Sequence, residues 1–340
     1  IICLKSHSIL DRYSEPSIVR DNLPMKKTKR LGRGLEDFSH LFLSSESENK
    51  KHVSGINQDV VCEKEDAGVP ARPICIISDK GIAERSFLTV NLALDIANQG
   101  KKVLVFDADF SLPRLCMLLG VSAHNPTLHL IAEDGREGII EEGIDGVKLI
   151  TLDIDISDIH TLSESERNSI KRCFKNAEEE AEILLINISP GFMHNMQAIL
   201  KSVSEIIMIT PQPVAEMINA YGIIKKIFQV NGDAHVGIVS SGIGVNNQAE
   251  AVFEKMQRIV KKFLDKPLYN YGYIPDDREI SLSLKRRRPL VLTSPSSKTV
   301  KCVTEISQCI LGTDNNRREE SEIAGNHFSF AEKLFGKSTV

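Results

Sequence analysis

Residues 72–93 read RPICIISDKGIAERSFLTVNLA. An apolar run, Ile74–Ser78, meets a polar turn at Asp79, Lys80 and Gly81, and an amphipathic stripe begins beyond it. Val90, Ala93, Leu94 and Ala97 recur at i, i+3, i+4 and i+7, the spacing of one helical face, and Gly100 stands where such a helix stops. Strand, tight turn and helix in that order bring backbone N–H groups and a helix N-terminus to one point. That arrangement cradles phosphate.

Outward from this stretch, apolar runs follow at Val103–Asp107, Lys148–Leu152, Ile183–Ile188, Ile206–Thr210 and Val236–Ser240, with helical periodicity in several of the gaps. Apolar strands alternating with helices predict a parallel sheet covered on both faces. The fold class is therefore α/β, a doubly wound and mainly parallel sheet flanked by helices, over residues 73–311. Lys102–Asp109 reads KVLVFDAD and places Asp107 and Asp109 at the C-terminal tip of a strand, where doubly wound sheets bind ligands. Ala181–Gly191 reads AEILLINISPG, another strand ending in a turn, and Tyr271–Asp277 reads YGYIPDD.

The whole chain sets 42 Lys and Arg against 46 Asp and Glu, a formal charge of −4 over 340 residues. No overall basic footprint for nucleic acid results, and the lack of Trp argues against a base-stacking platform. No apolar run approaches the ~20 residues that cross a bilayer. Cys3, Cys62, Cys75, Cys116, Cys173, Cys302 and Cys309 form no C-x-x-C pair, so they read as buried free thiols in a reducing cytoplasm. Residues 1–43 are a basic and amphipathic segment, 44–72 a polar flexible linker, 312–326 a polar tether and 327–340 a short amphipathic end. Met25, followed by Lys26, Lys27, Lys29 and Arg30, is a candidate start that would leave residues 1–24 outside the native protein.

Phosphate loop, DxD strand end, strand with Pro-Gly turn and YGYIPDD, in this order, resemble the MinD/ParA family of deviant-Walker P-loop ATPases, including MinD-like flagellar-number regulators. The family loop is G-K-G-G-x-G-K-[ST]. This chain supplies Asp79, Lys80, Gly81, Ile82, Ala83, Glu84, Arg85 and Ser86. The resemblance implies ATP or ADP with Mg2+ as cofactor and assigns roles position by position. Lys80 matches the signature lysine that reaches a dimer partner's phosphates; Asp107 and Asp109 match residues that sit near magnesium and position the attacking water. Gly81, Arg85 and Ser86 fall at loop positions that bind nucleotide, Ser86 at the magnesium-ligand place. Pro275 and Asp276 match the adenine-edge loop.

The departures carry physical weight. Glycine serves such a loop because the main chain must approach closely and adopt φ values that a side chain resists, isoleucine above all. Asp79, Ile82 and Glu84 replace three of those glycines. Like charges ~5 Å apart repel by about 3 kcal/mol at an effective dielectric near 20, so each carboxylate beside a polyanion is a heavy handicap. Arg85 keeps the charge of the loop lysine but not its point-like geometry. Asn187 stands where the family has a magnesium-holding Asp, and Ser241 where it usually has an adenine-contacting Asn. The site reads as a degenerate nucleotide pocket.

Both ends read as interaction segments. In Phe328–Lys337, FSFAEKLFGK, one helical side carries Phe328, Phe330, Leu334 and Phe335 and the other Ser329, Glu332 and Lys333. This resembles the C-terminal membrane-targeting helix of MinD proteins and implies a weak, reversible membrane contact; docking onto the protein's own surface or a partner groove is the alternative. Near the start, Leu31, Leu35, Phe38 and Phe42 recur at helical spacing, and KRLGRGL resembles the opening of ParB partition proteins. A partner-docking or self-docking segment is expected there. Lys285–Arg288 reads KRRR, a solvated helix end or a weak, salt-dependent nucleic-acid contact.

Two functions follow as expectations. The first is a non-hydrolysing MinD/ParA-like scaffold, a cytoplasmic protein peripheral at the inner face of the membrane. It would place partners at a division site, chromosome region or pole, either as a single chain or as a homodimer. The rival is an active ATPase with a variant loop, in which Lys80, Arg85, Asp107 and Asp109 suffice.

Overall fold

The computed structural model describes residues 70–78, 82–109, 114–121, 140–152, 161–189, 193–212, 214–244, 246–312 and 329–336. Leu35, Phe38, Lys80, Gly81 and Phe328, together with residues 1–69 and 313–328, lie outside the described residues; of the segment read as linker, Ala71 is buried and Arg72 begins the first strand.

Every apolar run read from the sequence is a strand. They are β1 (Arg72–Ser78), β2 (Val103–Ala108), β4 (Lys148–Thr151), β5 (Ile183–Ile188), β6 (Glu205–Pro211) and β7 (His235–Ile243). Two more, β3 (Ile140–Glu142) and β8 (Tyr269–Pro275), complete one sheet in the order β3-β4-β2-β5-β1-β6-β7-β8. All neighbours are parallel except β3, which runs antiparallel to β4 at one edge. The central strands lack apolar-polar alternation because both of their faces are covered. On β1, Cys75 and Ile77 belong to one core, while Ile74 and Ile76 belong to the other.

One helical layer consists of α1 (Ile82–Asn98), α2 (Arg114–Leu118), α7 (Arg278–Arg286), α8 (Leu290–Thr293) and α9 (Lys298–Leu311). The other holds α3 (Glu164–Glu179), α4 (Met193–Ser202), α5 (Val214–Val230), α6 (Asn246–Leu264) and α10 (Phe330–Phe335). The predicted stripe on α1 is internal: Val90, Ala93 and Leu94 are fully buried, and Ala97 packs against the same core. Gly100 ends the helix with φ +84, the left-handed conformation that glycine adopts without steric cost, and its N–H reaches the Ala97 carbonyl at 2.8 Å. Helices α1 and α4 follow adjacent strands β1 and β5 on opposite faces of the sheet, the topological switch point at whose C-terminal strand ends doubly wound sheets bind ligands. Cys75, Cys116, Cys173, Cys302 and Cys309 are buried free thiols, as expected.

The C-terminal segment takes the second of the two expected courses, docking onto the protein's own surface. Phe330 is fully buried, and Leu334 and Phe335 pack against the core of the α3–α6 layer. The Phe330 ring lies 6.3 Å from Phe106 on β2 and 6.4 Å from Phe174 on α3, and Phe335 lies 5.4 Å from Phe174. Polar contacts fix both ends. The buried Glu178 carboxylate accepts from the Phe330 N–H at 2.6 Å, the Ala331 N–H at 2.9 Å and the Ser329 hydroxyl at 2.8 Å. Lys171 donates to the Gly336 carbonyl at the other end. An anion at a helix N-terminus and a cation at its C-terminus both oppose the charge of the helix ends. Burying aromatic side chains in a ready-made ring cluster supplies the driving force. No described helix is long and apolar enough to cross a membrane.

Candidate functional site

The C-terminal ends of β1, β2 and β5 gather several of the polar residues singled out above. Ser78, Asp107 and Asn187 end their strands on the α1-facing side of the sheet, and Asn187 is in register with Asp107 on β2 and Ile76 on β1. Helix α1 begins at Ile82, so Ala83, Glu84 and Arg85 are already helical and only residues 79–81 separate strand from helix. Arg85, on the first turn of α1, points into the sheet and is 1% exposed.

All three nitrogens of its guanidinium have a partner. Nε donates to Asn187 Oδ1 at 2.8 Å, Nη1 to Ser78 Oγ at 3.4 Å, and Nη2 forms an ion pair with the Asp109 carboxylate. Asn187 Nδ2 donates to Asp107 Oδ1 at 2.8 Å, and the same oxygen accepts from the Asp109 N–H at 3.3 Å. The five residues form a closed, buried network of one cation and two carboxyl groups. Burial raises the Asp107 carboxyl to about 7, helped by nearby Asp109 and opposed by its hydrogen bonds and by Arg85. Burial also lowers the Arg85 guanidinium, against the attraction of Asp109 and Asp107. Asn in place of Asp at 187 lets the side chain accept from Arg85 and donate to Asp107 at once, which a carboxylate could not do without a proton.

Thus the structure brings together Arg85, Asp107 and Asp109; Ser86, next to Arg85 in the chain, is buried. It does not bring Pro275 and Asp276 to this network: they end β8, separated from β1 by β6 and β7. The Asp276 N–H bonds to the Ile243 carbonyl at 3.0 Å, and Asp277 caps α7 by accepting from the Glu279 N–H at 2.9 Å. Ser241 is buried on β7, and its hydroxyl has no hydrogen-bond partner among the described residues. Sequence reasoning missed Ser78 as a partner of Arg85; a single Ser at a strand end carries no pattern that would reveal it.

The family model described as ParA, NUBPL iron-transfer P-loop NTPase, matches residues 71–311. The chain belongs to the ParA family. FleN of Pseudomonas aeruginosa, an antiactivator, is 21% identical over 242 residues that cover 70% of this ParA-family chain and 86% of FleN. The flagellum site-determining protein YlxH of Helicobacter pylori is 23% identical over 236 residues, 69% of this chain and 80% of YlxH. Among solved structures, the cell division ATPase MinD of Pyrococcus furiosus aligns with a TM-score of 0.56 and 22% identity, covering 72% of this chain and 99% of MinD. The Pyrococcus horikoshii MinD, complexed with Mg-ADP, aligns at 0.54 with 21% identity over 74% of this chain and all of that one. At such identities the structural likeness speaks for the fold.

Proposed function

We propose that this ParA-family chain is a non-hydrolysing scaffold that places partner proteins in space, on a fold whose nucleotide site is degenerate. The spatial part of the reading rests on relatives named as flagellum and septum site-determining proteins. The degenerate part rests on one observation. Arg85, at the place of the family's loop lysine, is buried in an ion pair with Asp109 and bonded to Asn187.

The described residues do not fit a magnesium-bound triphosphate. A cation meant for phosphate must present free donors; Arg85 presents them to Ser78, Asn187 and Asp109. A carboxylate meant for metal-bound water must be charged and open, whereas Asp107 is buried, bonded by Asn187 and pushed up to about 7. Asn187 keeps the shape of an Asp without the charge that attracts a divalent ion. Helical residues 83–85 leave no bare loop at those positions to wrap a polyanion.

Titration calorimetry with ATP and ADP, with and without Mg2+, together with phosphate release, tests the reading. Absence of turnover and of affinity below the millimolar range is expected. Partner-stimulated turnover that disappears in Lys80→Ala would establish the rival, an active ATPase with a variant loop. Combining Asp79→Gly, Ile82→Gly, Glu84→Gly and Arg85→Lys with Asn187→Asp should raise nucleotide affinity if those five residues are the whole defect.

A further inference from the structure

A cavity of about 470 Å³ lies where α7 ends and α8 begins, and Glu279, Ser283, Arg286, Arg288, Thr293 and Ser294 line it. None of these residues belongs to the Arg85 network. A volume of this size holds a small organic ligand. Among the described residues, neither Arg286 nor Arg288 has an ion pair or a side-chain hydrogen bond, and the Ser294 hydroxyl has no partner. Open donors around a concavity are what an anion requires.

The backbone that carries the two arginines is fixed. Arg287, between them, closes α7 in the left-handed conformation with φ +55, its N–H bonded to the Leu284 carbonyl at 3.2 Å. Glycine is the usual residue at such a place, because a Cβ is strained there. The Arg288 N–H bonds to the Ser283 carbonyl at 3.1 Å, and the Ser283 hydroxyl donates back to the Arg288 carbonyl at 2.5 Å. The α8 side is tied to α1 and to its own start. The Val291 N–H donates to Oδ1 of the buried Asn91 at 2.9 Å, and the Thr293 hydroxyl to the Pro289 carbonyl at 3.2 Å. A site shaped before its ligand arrives loses little to ordering when it binds.

The charge around the cavity is of both signs and is ordered along α7. Lys285, Arg286, Arg287 and Arg288 stand at its C-terminal end; Asp276, Asp277 and Glu279 stand at its start. The Asp277 carboxylate is engaged by the Glu279 N–H and by the Thr299 hydroxyl, whereas the Glu279 carboxylate has no partner among the described residues. Paired N–H groups of an arginine fork suit the oxygens of a phosphate. No aromatic side chain among the described residues lines the cavity, so a nucleobase finds nothing to stack on. Glu279 repels a bare phosphate but accepts hydrogen bonds from hydroxyl groups. We infer that this cavity binds a polyol phosphate, with the phosphate held by Arg286 and Arg288 and the hydroxyl groups by Glu279 and Ser294. This goes beyond the scaffold reading and does not depend on how the nucleotide site behaves.

Titration calorimetry of the full chain with glucose 6-phosphate tests it. The expected result is saturable binding with a Kd below about 1 mM, at least about fivefold tighter than for inorganic phosphate. Arg286→Ala and Arg288→Ala should each lower affinity at least about tenfold while leaving the melting temperature within about 2 °C, since both side chains are exposed. Glu279→Ala should weaken glucose 6-phosphate and strengthen inorganic phosphate, because it removes a hydroxyl acceptor and a repelling charge together. A merely structural role would move both the same way. Pelleting with phosphatidylglycerol vesicles that glucose 6-phosphate displaces would assign the phosphate to a lipid headgroup, and binding of the sugar phosphate without pelleting would assign it to a free ligand; both uphold the site. No binding at about 5 mM, affinity indifferent to Arg288→Ala, or equal affinity for glucose 6-phosphate and sulfate would overturn the inference. So would duplex DNA that binds through the same arginines and is not displaced by the sugar phosphate.

Discussion

The two edges of the sheet are built alike. At the N-terminal edge, Arg72 of β1 donates through Nε to Glu205 of β6 at 2.8 Å and through Nη1 to the Ile310 carbonyl of α9 at 2.7 Å, while the Tyr271 hydroxyl of β8 donates to Glu205 at 2.7 Å. At the C-terminal edge, Arg85 plays the same part toward Asp109, Asn187 and Ser78. The first edge is where α/β sheets are held together, the second where they bind ligands. The C-terminal edge thus carries an arginine bonded across strands in the manner of the structural edge. The difference lies in access: the Arg72 side chain is 21% exposed and the Arg85 side chain 1%.

The largest effect that could break this comparison comes from Arg85→Met. It leaves two buried carboxyl groups without their cation and should cost about 3–5 kcal/mol in denaturant unfolding. Arg72→Met should cost less, on the order of 2 kcal/mol, because water reaches that side chain and Tyr271 still serves Glu205. If Mg-ATP restored most of the loss in Arg85→Met, the C-terminal edge would be a ligand site after all. Phe330→Ala, which empties part of the Phe106–Phe174 cluster, should cost about 3 kcal/mol by the same measurement. An unchanged midpoint would show that the C-terminal helix is not held where it packs.

Titration sharpens the comparison further. The folded Asp107 carboxyl lies near 7, above its ordinary value of 3.8, so its contribution to stability is full below about 4 and is lost as pH rises through 7. Stability should fall between about pH 4 and 7 with a slope of at most about 1.4 kcal/mol per pH unit from this group, and Asp107→Asn should flatten that slope. A steeper slope in the variant would assign the dependence elsewhere. Glu178→Gln, which removes the charge but keeps an acceptor at the start of α10, should cost about 1 kcal/mol and speed amide exchange in residues 330–335 without loosening the sheet. The smallest effect belongs to the exposed Lys101–Glu182 pair, 2.8 Å apart with both side chains nearly half exposed. Glu182→Gln should change stability by less than about 0.5 kcal/mol.

Most of the fold was legible because its signals are local. Runs such as ICII at 74–77 and ILLI at 183–186 cannot be half-exposed, and the stripe from Val90 to Ala97 has a helical period. The edge strand β3, three residues long, carried too little pattern to be seen. At the site, the replaced loop residues and Asn187 were visible one by one. Their assembly was not, because Arg85 and Asn187 stand 102 positions apart and nothing in either neighbourhood fixes the direction of a guanidinium. The C-terminal segment shows the same limit. Its amphipathic face was plain, but an apolar face states only that it will be covered.

What covers it was settled by Phe174 and Phe106, brought from a helix and a strand distant in the chain, and by Glu178, whose carboxylate has no other reason to be buried. The sequence by itself determined six of the eight strands, the helix that follows the first of them, the mainly parallel character of the sheet and the replacement of the family's loop residues, since hydrophobic period and residue type are properties of neighbouring positions. Only the tertiary structure decided that Arg85 turns inward, that Asp107 and Asp109 share its charge, and that the terminal helix is docked. Electrostatic satisfaction and side-chain packing depend on which groups meet, and in this molecule those groups meet across long stretches of chain.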